Sequence, residues 1–204
     1  MIIDVSSHNG IIDFAKVKAA GVQTAIIRAS LGYGAKDTML EINANGFANA
    51  GIAVSYYHFA YPDTKRGGTV VSDATAEAQY FTDTVANLPA YVRLWVDLEN
   101  WDANGKDSPL KQADYQLWLT TFLDKIRQLT GKDAGLYSYK SYFDTHLPTN
   151  HPFGNYKFWI ANYSAKIKPP IPKGFKKYYL WQYSAKGTVA GMNGNVDLNR
   201  LNTV

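Results

Sequence analysis

Three consecutive stretches decide the fold: the run Thr24-Ala25-Ile26-Ile27-Arg28-Ala29, the amphipathic segment from Thr38 to Ala50 with Gly51 behind it, and the run Ala53-Val54-Ser55-Tyr56-Tyr57-His58. Two short apolar, β-branched or aromatic runs flank one segment of helical spacing, and a glycine just past that segment is the usual helix stop. A strand, a crossover helix and a second strand joined in this way lie parallel in one sheet. The alternation extends outward in both directions. Ile2 to Val5 reads as a strand and Phe14 to Ala20 as a helix ending at Gly21. Downstream, the strands are Val92 to Leu98, Gly135 to Tyr139, Phe158 to Asn162, Tyr179 to Gln182 and Asn195 to Leu198. The spacing predicts further helices over Val70 to Asn87 and over Lys111 to Thr130, the second stopped by Gly131. In the latter, Tyr115, Leu119, Phe122, Leu123 and Ile126 recur three and four residues apart, the pattern of a buried helix face.

Pro169, Pro170 and Pro172 exclude a helix between the sixth and seventh strands, and nothing helical precedes the eighth. Eight strands within 204 residues favour a closed barrel over an open sheet, near the lower size limit of such barrels. The expected fold is therefore α/β, an irregular TIM-like barrel of eight strands whose helices are missing after the later strands. No composition break, linker or internal repeat divides the chain, so residues 1–204 are read as one catalytic domain.

Composition removes several function classes. An apolar share of 46% is enough for a substantial core, and no apolar run reaches the length of a membrane span, so neither disorder nor membrane insertion is expected. The absence of Cys rules out disulfides, thiolate metal sites and cysteine nucleophiles. Lys plus Arg number 21 against 17 Asp plus Glu, and Lys166, Lys168, Lys173, Lys176 and Lys177 gather late in the chain. A solvated surface accounts for them first, and weak attraction to an anionic polymer such as cell wall or nucleic acid second. No charged leader or apolar segment precedes the first strand, so release by lysis or export with a trimmed signal is expected.

In α/β barrels the reactive groups stand where the strands end, so acids that close apolar runs are the ones to inspect. Asp4 ends the first run, Asp97 and Glu99 end Leu94-Trp95-Val96-Asp97-Leu98-Glu99, and Asp197 ends the eighth in Val196-Asp197-Leu198-Asn199. Residues two apart on a strand share a face, which separates the Cα atoms of Asp97 and Glu99 by roughly 6.5 to 7 Å. Closure makes the first and eighth strands neighbours, placing Asp4 beside Asp197 and opposite the other pair. Glycosidic cleavage needs one protonated carboxyl to donate to the leaving oxygen and a second anionic group to stabilise oxocarbenium-like charge or position the nucleophile. Crowded carboxylates supply that division, because like charges push one member's pKa upward. Glu99, with the longer reach, is the expected acid. The competing structural reading makes Asp4 a turn cap before Ser6, Ser7 and Asn9, and Asp197 an ion-pair partner of Arg200.

At these residues the chain resembles the glycoside hydrolase family 25 lysozymes, the Chalaropsis-type muramidases. The resemblance runs through Asp4-Val5-Ser6-Ser7-His8-Asn9-Gly10, Ala25-Ile26-Ile27-Arg28-Ala29-Ser30, Tyr57-His58-Phe59, Asp97-Leu98-Glu99, Trp181-Gln182-Tyr183 and Val196-Asp197-Leu198-Asn199, in order along the whole chain. It implies hydrolysis of the β-1,4 bond between N-acetylmuramic acid and N-acetylglucosamine in peptidoglycan, on a barrel whose last strands lack helices. It also implies that Glu99 is the proton donor, with Asp4, Asp97 and Asp197 lining the same pocket. One departure is Arg28-Ala29-Ser30-Leu31-Gly32, where many relatives carry a Lys-Ala-Thr-Glu-Gly-like run. Because the substrate is acetylated and the motif is Asp-x-Glu, attack by the substrate's own 2-acetamido group, oriented by Asp97, is the favoured second step over direct water attack or a covalent carboxylate intermediate.

Pyranose rings pack on aromatic faces, and Tyr33, Tyr57, Tyr61, Tyr139, Tyr163 and Trp181, with His58, lie near strand ends as candidate substrate contacts; Trp95, Trp118 and Trp159 read as core. His146 and His151 fall in a Pro-rich connector, and no His-Glu-x-x-His or Gly-x-Ser-x-Gly motif supports metal or serine catalysis. No metal, cofactor or nucleic acid is expected. The expected partner is the peptidoglycan glycan strand, met by a monomer outside the cell at the bacterial wall. A catalytically weak cell-wall carbohydrate-binding protein is the second class, disfavoured by the four intact acids. A chitinase-like glycosidase is the third, separable by comparing chitin with peptidoglycan.

Overall fold

The alternation closes on itself. The computed structural model describes residues 1–202; Thr203 and Val204, the end of the expected single domain, lie outside the described residues. In chain order the elements are β1 (Ile2–Val5), α1 (Phe14–Ala19), β2 (Thr24–Leu31), β3 (Ala35–Lys36), α2 (Leu40–Asn49), β4 (Ala53–Phe59), α3 (Val70–Val85) and β5 (Tyr91–Asp97). They continue with α4 (Gln112–Thr130), β6 (Gly135–Tyr139), α5 (Lys140–His146), β7 (Phe158–Ala161), β8 (Leu180–Gly187) and β9 (Val196–Leu201). The wall runs β1, β2, β4, β5, β6, β7, β8, β9 and back to β1, while β3 is a two-residue spur antiparallel to the end of β2.

Neighbours from β1 round to β8 are parallel, but β9 is antiparallel to both β8 and β1. This corrects the expected all-parallel order. Residues 188–195 alone join β8 to β9, too few for a crossover, so the last connection is a hairpin. Asp197 consequently sits at the start of its strand rather than the end. The reversed direction brings that start to the end of the barrel where the parallel strands finish, and Asp4 pairs with Asp197 in register. A second correction is α5, in the stretch read as a connector. At seven residues it is too short for a periodic signature, yet it buries Tyr142, Phe143 and His146.

Side-chain alternation along the strands produces two cores. The larger fills the space between the wall and the helices and includes Phe81 of α3 and Trp118, Phe122 and Ile126 of α4. The smaller plugs the bore with Ile26, Tyr57, Trp95, Tyr137, Trp159, Ala161 and Leu180. Trp159 is its centre, with the rings of Tyr137 and Trp95 at 4.5 and 5.5 Å. Gly135 makes room for this plug, since a Cβ there would stand 2.3 Å from the Trp95 ring.

Candidate active site

Asp4 of β1 and Asp197 of β9 face each other across one strand pairing. On the far side of the mouth, Asp97 closes β5 and Glu99 follows, with Leu98 between them turned outward into the large core. Asp97 feels the charges of Glu99 and Asp4, and Glu99 feels that of Asp197, so the two pairs confront each other over one cleft. Asp4 is held rigidly. Gln182 Nε2 donates to its two oxygens at 3.1 and 2.9 Å, and Asn199 Nδ2 donates to Oδ2 at 2.7 Å. The hydroxyls of Tyr137 and Tyr163 donate to Gln182 Oε1 at 2.9 and 2.6 Å, and Trp159 Nε1 donates to Asn199 Oδ1 at 2.8 Å. Asp97 is different: it is buried, and its Oδ1 has no hydrogen-bond partner among the described residues.

Burial raises the pKa of all four acids, because a carboxylate removed from water loses its hydration. Repulsion adds to it. Asp97 is pushed well above the carboxylate range, with Glu99 and Asp4 reinforcing burial and Arg28 partly opposing them. Arg28 is fixed by Asp37, which accepts from Nε at 2.8 Å, and by Ser7 Oγ at 3.1 Å. Asp4 is raised by burial and then by Asp197, against the lowering effect of Asn199 and Gln182. Glu99 is pushed up to about 7 by burial and then by Asp197. A carboxyl with that value holds its proton for part of the time at neutral pH and can give it up or take it back.

Residues 3–192 match the model of glycosyl hydrolases family 25. The chain belongs to this family. Lysozyme M1 of Streptomyces globisporus is 31% identical over 204 residues, covering 98% of this chain and 67% of that protein. The N,O-diacetylmuramidase of Chalaropsis sp is 26% identical over 211 residues, 98% of this chain and 97% of that protein. Among solved structures, the bacterial lysozyme from Streptomyces coelicolor matches with a TM-score of 0.85 at 31% identity, covering 98% of this chain and 90% of that one. The resemblance carried by the strand motifs is confirmed, and the family 25 chain is a glycoside hydrolase.

In this family 25 barrel the expected aromatic contacts separate. Tyr57, Tyr139 and Tyr163 stand at the carboxylates: Tyr57 feels Asp97, Asp4 and Glu99, Tyr163 feels Asp197, Asp4 and Glu99, and Tyr139 feels Glu99 while donating its hydroxyl to Asn100 Oδ1. Tyr61 lies on the rim against Trp101, with ring centroids 5.1 Å apart. Tyr33 stands on the turn between β2 and β3, where its ring meets Tyr80 and the Arg66 guanidinium. His58 and Trp181 do not join the groove. Each neighbours an inward residue, Tyr57 or Gln182, so the pleat turns it to the outside of the wall. His58 is completely buried between Phe81 and Phe122, with Ser30 Oγ 2.9 Å from Nδ1 and Glu77 Oε2 2.8 Å from Nε2. Trp181 is sealed in the large core, where its indole N–H donates to Asn162 O at 2.7 Å.

Gln182, Asn199, Tyr137, Arg28 and Trp101 belong to the mouth or its rim, and sequence reasoning gave none of them a role there. Two carried a usable signal: Gln182 is two residues from Leu180, and Asn199 two from Asp197, so each shares a face with an inward residue. The alternative roles for Asp4 and Asp197 are not what the structure has. The turn after β1 is held instead by Ser6 and Asn9, and Arg200 lies over the Trp181 ring at 3.9 Å.

Proposed function

We propose that this chain hydrolyses the glycan backbone of bacterial peptidoglycan at the β-1,4 bond between N-acetylmuramic acid and N-acetylglucosamine, with Glu99 as general acid. The observation that carries this reading is Glu99, raised to about 7, beside the buried and unpartnered Oδ1 of Asp97 on the same side of one cleft. Protonated Glu99 donates to the glycosidic oxygen as the bond to the anomeric carbon breaks. Asp97 Oδ1 accepts the N–H of the substrate's 2-acetamido group, which turns the acetamido oxygen toward the anomeric carbon to form an oxazolinium ring. Glu99, now ionised, takes a proton from water as that water opens the ring, restoring the acetamide and leaving the configuration retained. Asp4 and Asp197 face the developing positive charge from the opposite wall. The names lysozyme and N,O-diacetylmuramidase borne by the relatives support the substrate class. In this reading the chain acts as a monomer outside the cell, at the wall.

The test is mass spectrometry of products from defined peptidoglycan, with NMR of the first anomer formed. Muramic acid at the new reducing end, in the β form, is the expected outcome. A new N-acetylglucosamine reducing end would reassign the bond, an α anomer would eliminate acetamido participation, and no new ends at all would overturn the function.

A further inference from the structure

The end of the barrel opposite the carboxylates is built from the starts of the parallel strands and the finish of β9, and it holds a different chemistry. Three cavities of about 370, 290 and 650 Å³ adjoin there. The first two share Asn155, Tyr156 and Lys157, and the second and third share Tyr178 and Asn202, so they form one groove around the barrel base. Its lining carries the cations of Arg93, Lys132, Lys157, Lys177, Lys166 and Arg200. Asp133 is the one carboxylate among the described lining residues, and Arg127 engages it at 2.6 Å.

Four of these cations are near aromatic rings and none of the six is in an ion pair among the described residues. Elsewhere Lys16, Lys36, Lys65 and Lys140 are each neutralised by a nearby carboxylate. In the groove the contacts are with aromatic faces: Lys157 Nζ lies 3.8 Å from the Tyr179 centroid, Arg200 3.9 Å from Trp181, Lys132 Nζ 5.6 Å from Tyr91, and Arg93 5.8 Å from Trp95. A ring quadrupole orients a cation without cancelling its charge. The groove therefore carries six positive charges, four of them oriented by rings, and Arg93 also donates to Asp133 O at 3.1 Å.

We infer that this groove is a second, non-catalytic site that binds a phosphodiester-linked polyol polymer of the bacterial wall. A row of separate cations along a curved path matches phosphates recurring along a flexible chain better than a single compact anion. The choice of a wall polymer rests on the proposed site of action. It is favoured over single-stranded nucleic acid by the groove itself, where Lys157 covers the Tyr179 ring and Tyr178 is buried, which leaves little aromatic face for base stacking. Binding here holds the enzyme on the wall while the carboxylate end faces the glycan.

The test is co-sedimentation of the intact chain with purified walls bearing polyol phosphate, with the same walls after removal of their phosphodiesters, and with single-stranded DNA as competitor. Retention should fall about tenfold on stripped walls and fall likewise for Lys132→Gln/Lys157→Gln/Lys177→Gln, whose salt dependence should be shallower by about 2 to 3 in log–log slope. Arginine at the same three positions should restore it. Equal retention on intact and stripped walls, or wild-type retention by the glutamine variant, overturns the inference; so does DNA displacing the wall polymer at equal phosphate. Reducing-end release from soluble glycan should be unchanged in the variant. Loss of that activity in the wild-type chain would count against the proposed function and leave the binding result readable.

Discussion

Two clusters of buried and half-buried acids lie on opposite sides of the same barrel wall. Inside are Asp4, Asp97, Glu99 and Asp197; outside, between β4, α3 and α4, are Asp63, Asp73 and Glu77. Burial does not set Asp97 apart from Asp73, at 5% and 1% exposed, although Glu99 and Asp197 are only half-buried. Nor does titration alone: Glu99 is raised to about 7 and Asp73 to about 6, each with burial as the first cause. The donors do. Asp73 accepts from Trp118 Nε1 at 2.8 Å and from the Arg66 backbone at 3.0 Å, while Glu77 meets His58 Nε2 at 2.8 Å and accepts from the Tyr61 backbone at 3.1 Å. The outer acids are consumed in fastening the loop after β4 to α3 and α4. Inside, Asp4 is likewise held by Gln182 and Asn199, but Asp97 Oδ1 has no partner among the described residues. A cluster whose acids are all saturated by their own chain is structural, and one that holds an unsaturated acid beside others is available for chemistry.

The strongest way to break this contrast is Glu99→Gln. The amide keeps the shape and cannot donate as a carboxylic acid does, so reducing-end release should drop roughly a thousandfold. Thermal unfolding should shift upward or stay unchanged, because a desolvated, repelled carboxyl has been removed. Near-wild-type release by this variant would end the distinction between the clusters. Glu77→Ala should do the reverse. It leaves the buried His58 ring and the Tyr61 N–H without their acceptor, an expected loss of about 3 kcal/mol in chemical denaturation. Turnover per folded molecule, measured well below the melting transition, should remain close to wild type. A comparable collapse in turnover would make the outer cluster part of the catalytic apparatus.

The same two clusters show what the sequence can and cannot disclose. Strand ends at Asp4 and Asp97 are legible because each closes a dense apolar run bounded by turn residues, and the barrel follows from the regular strand and helix alternation in the first two thirds of the chain. The reversal of β9 is not legible from length, since the strands read as Tyr179 to Gln182 and Asn195 to Leu198 leave a dozen residues between them, and only the longer β8 of the structure shortens the connection to residues 188–195. Orientation across the pleat is harder. His58 and Trp181 sit beside inward residues in motifs that look functional, and only the register of the whole sheet shows that they face away from the bore. The partners of Asp4 are more remote still: Gln182 and Asn199 lie 178 and 195 residues away, and although the two-residue spacing puts each on an inward face, nothing local says that they meet Asp4.

The smallest expected effect sharpens the comparison through pH. Glu99 titrates near 4.5 in an ordinary environment and near 7 in the fold. Between these values the native state keeps a proton that the unfolded chain has released, so stability declines as pH rises through that window and is fully present below it. Glu99→Gln removes this contribution. The stability of the wild-type chain relative to the variant should therefore fall from about pH 4.5, level off above about pH 7, and change by about 2 kcal/mol after allowance for partial exposure of the side chain. Asp73, raised from 3.8 to about 6, should keep its own decline at lower pH in both proteins. Denaturant titrations at half-unit pH intervals separate the two contributions. Parallel stability curves for wild type and variant would mean that the mouth of the barrel is wetter than its aromatic floor implies, and would remove the electrostatic reason for choosing Glu99 as the acid.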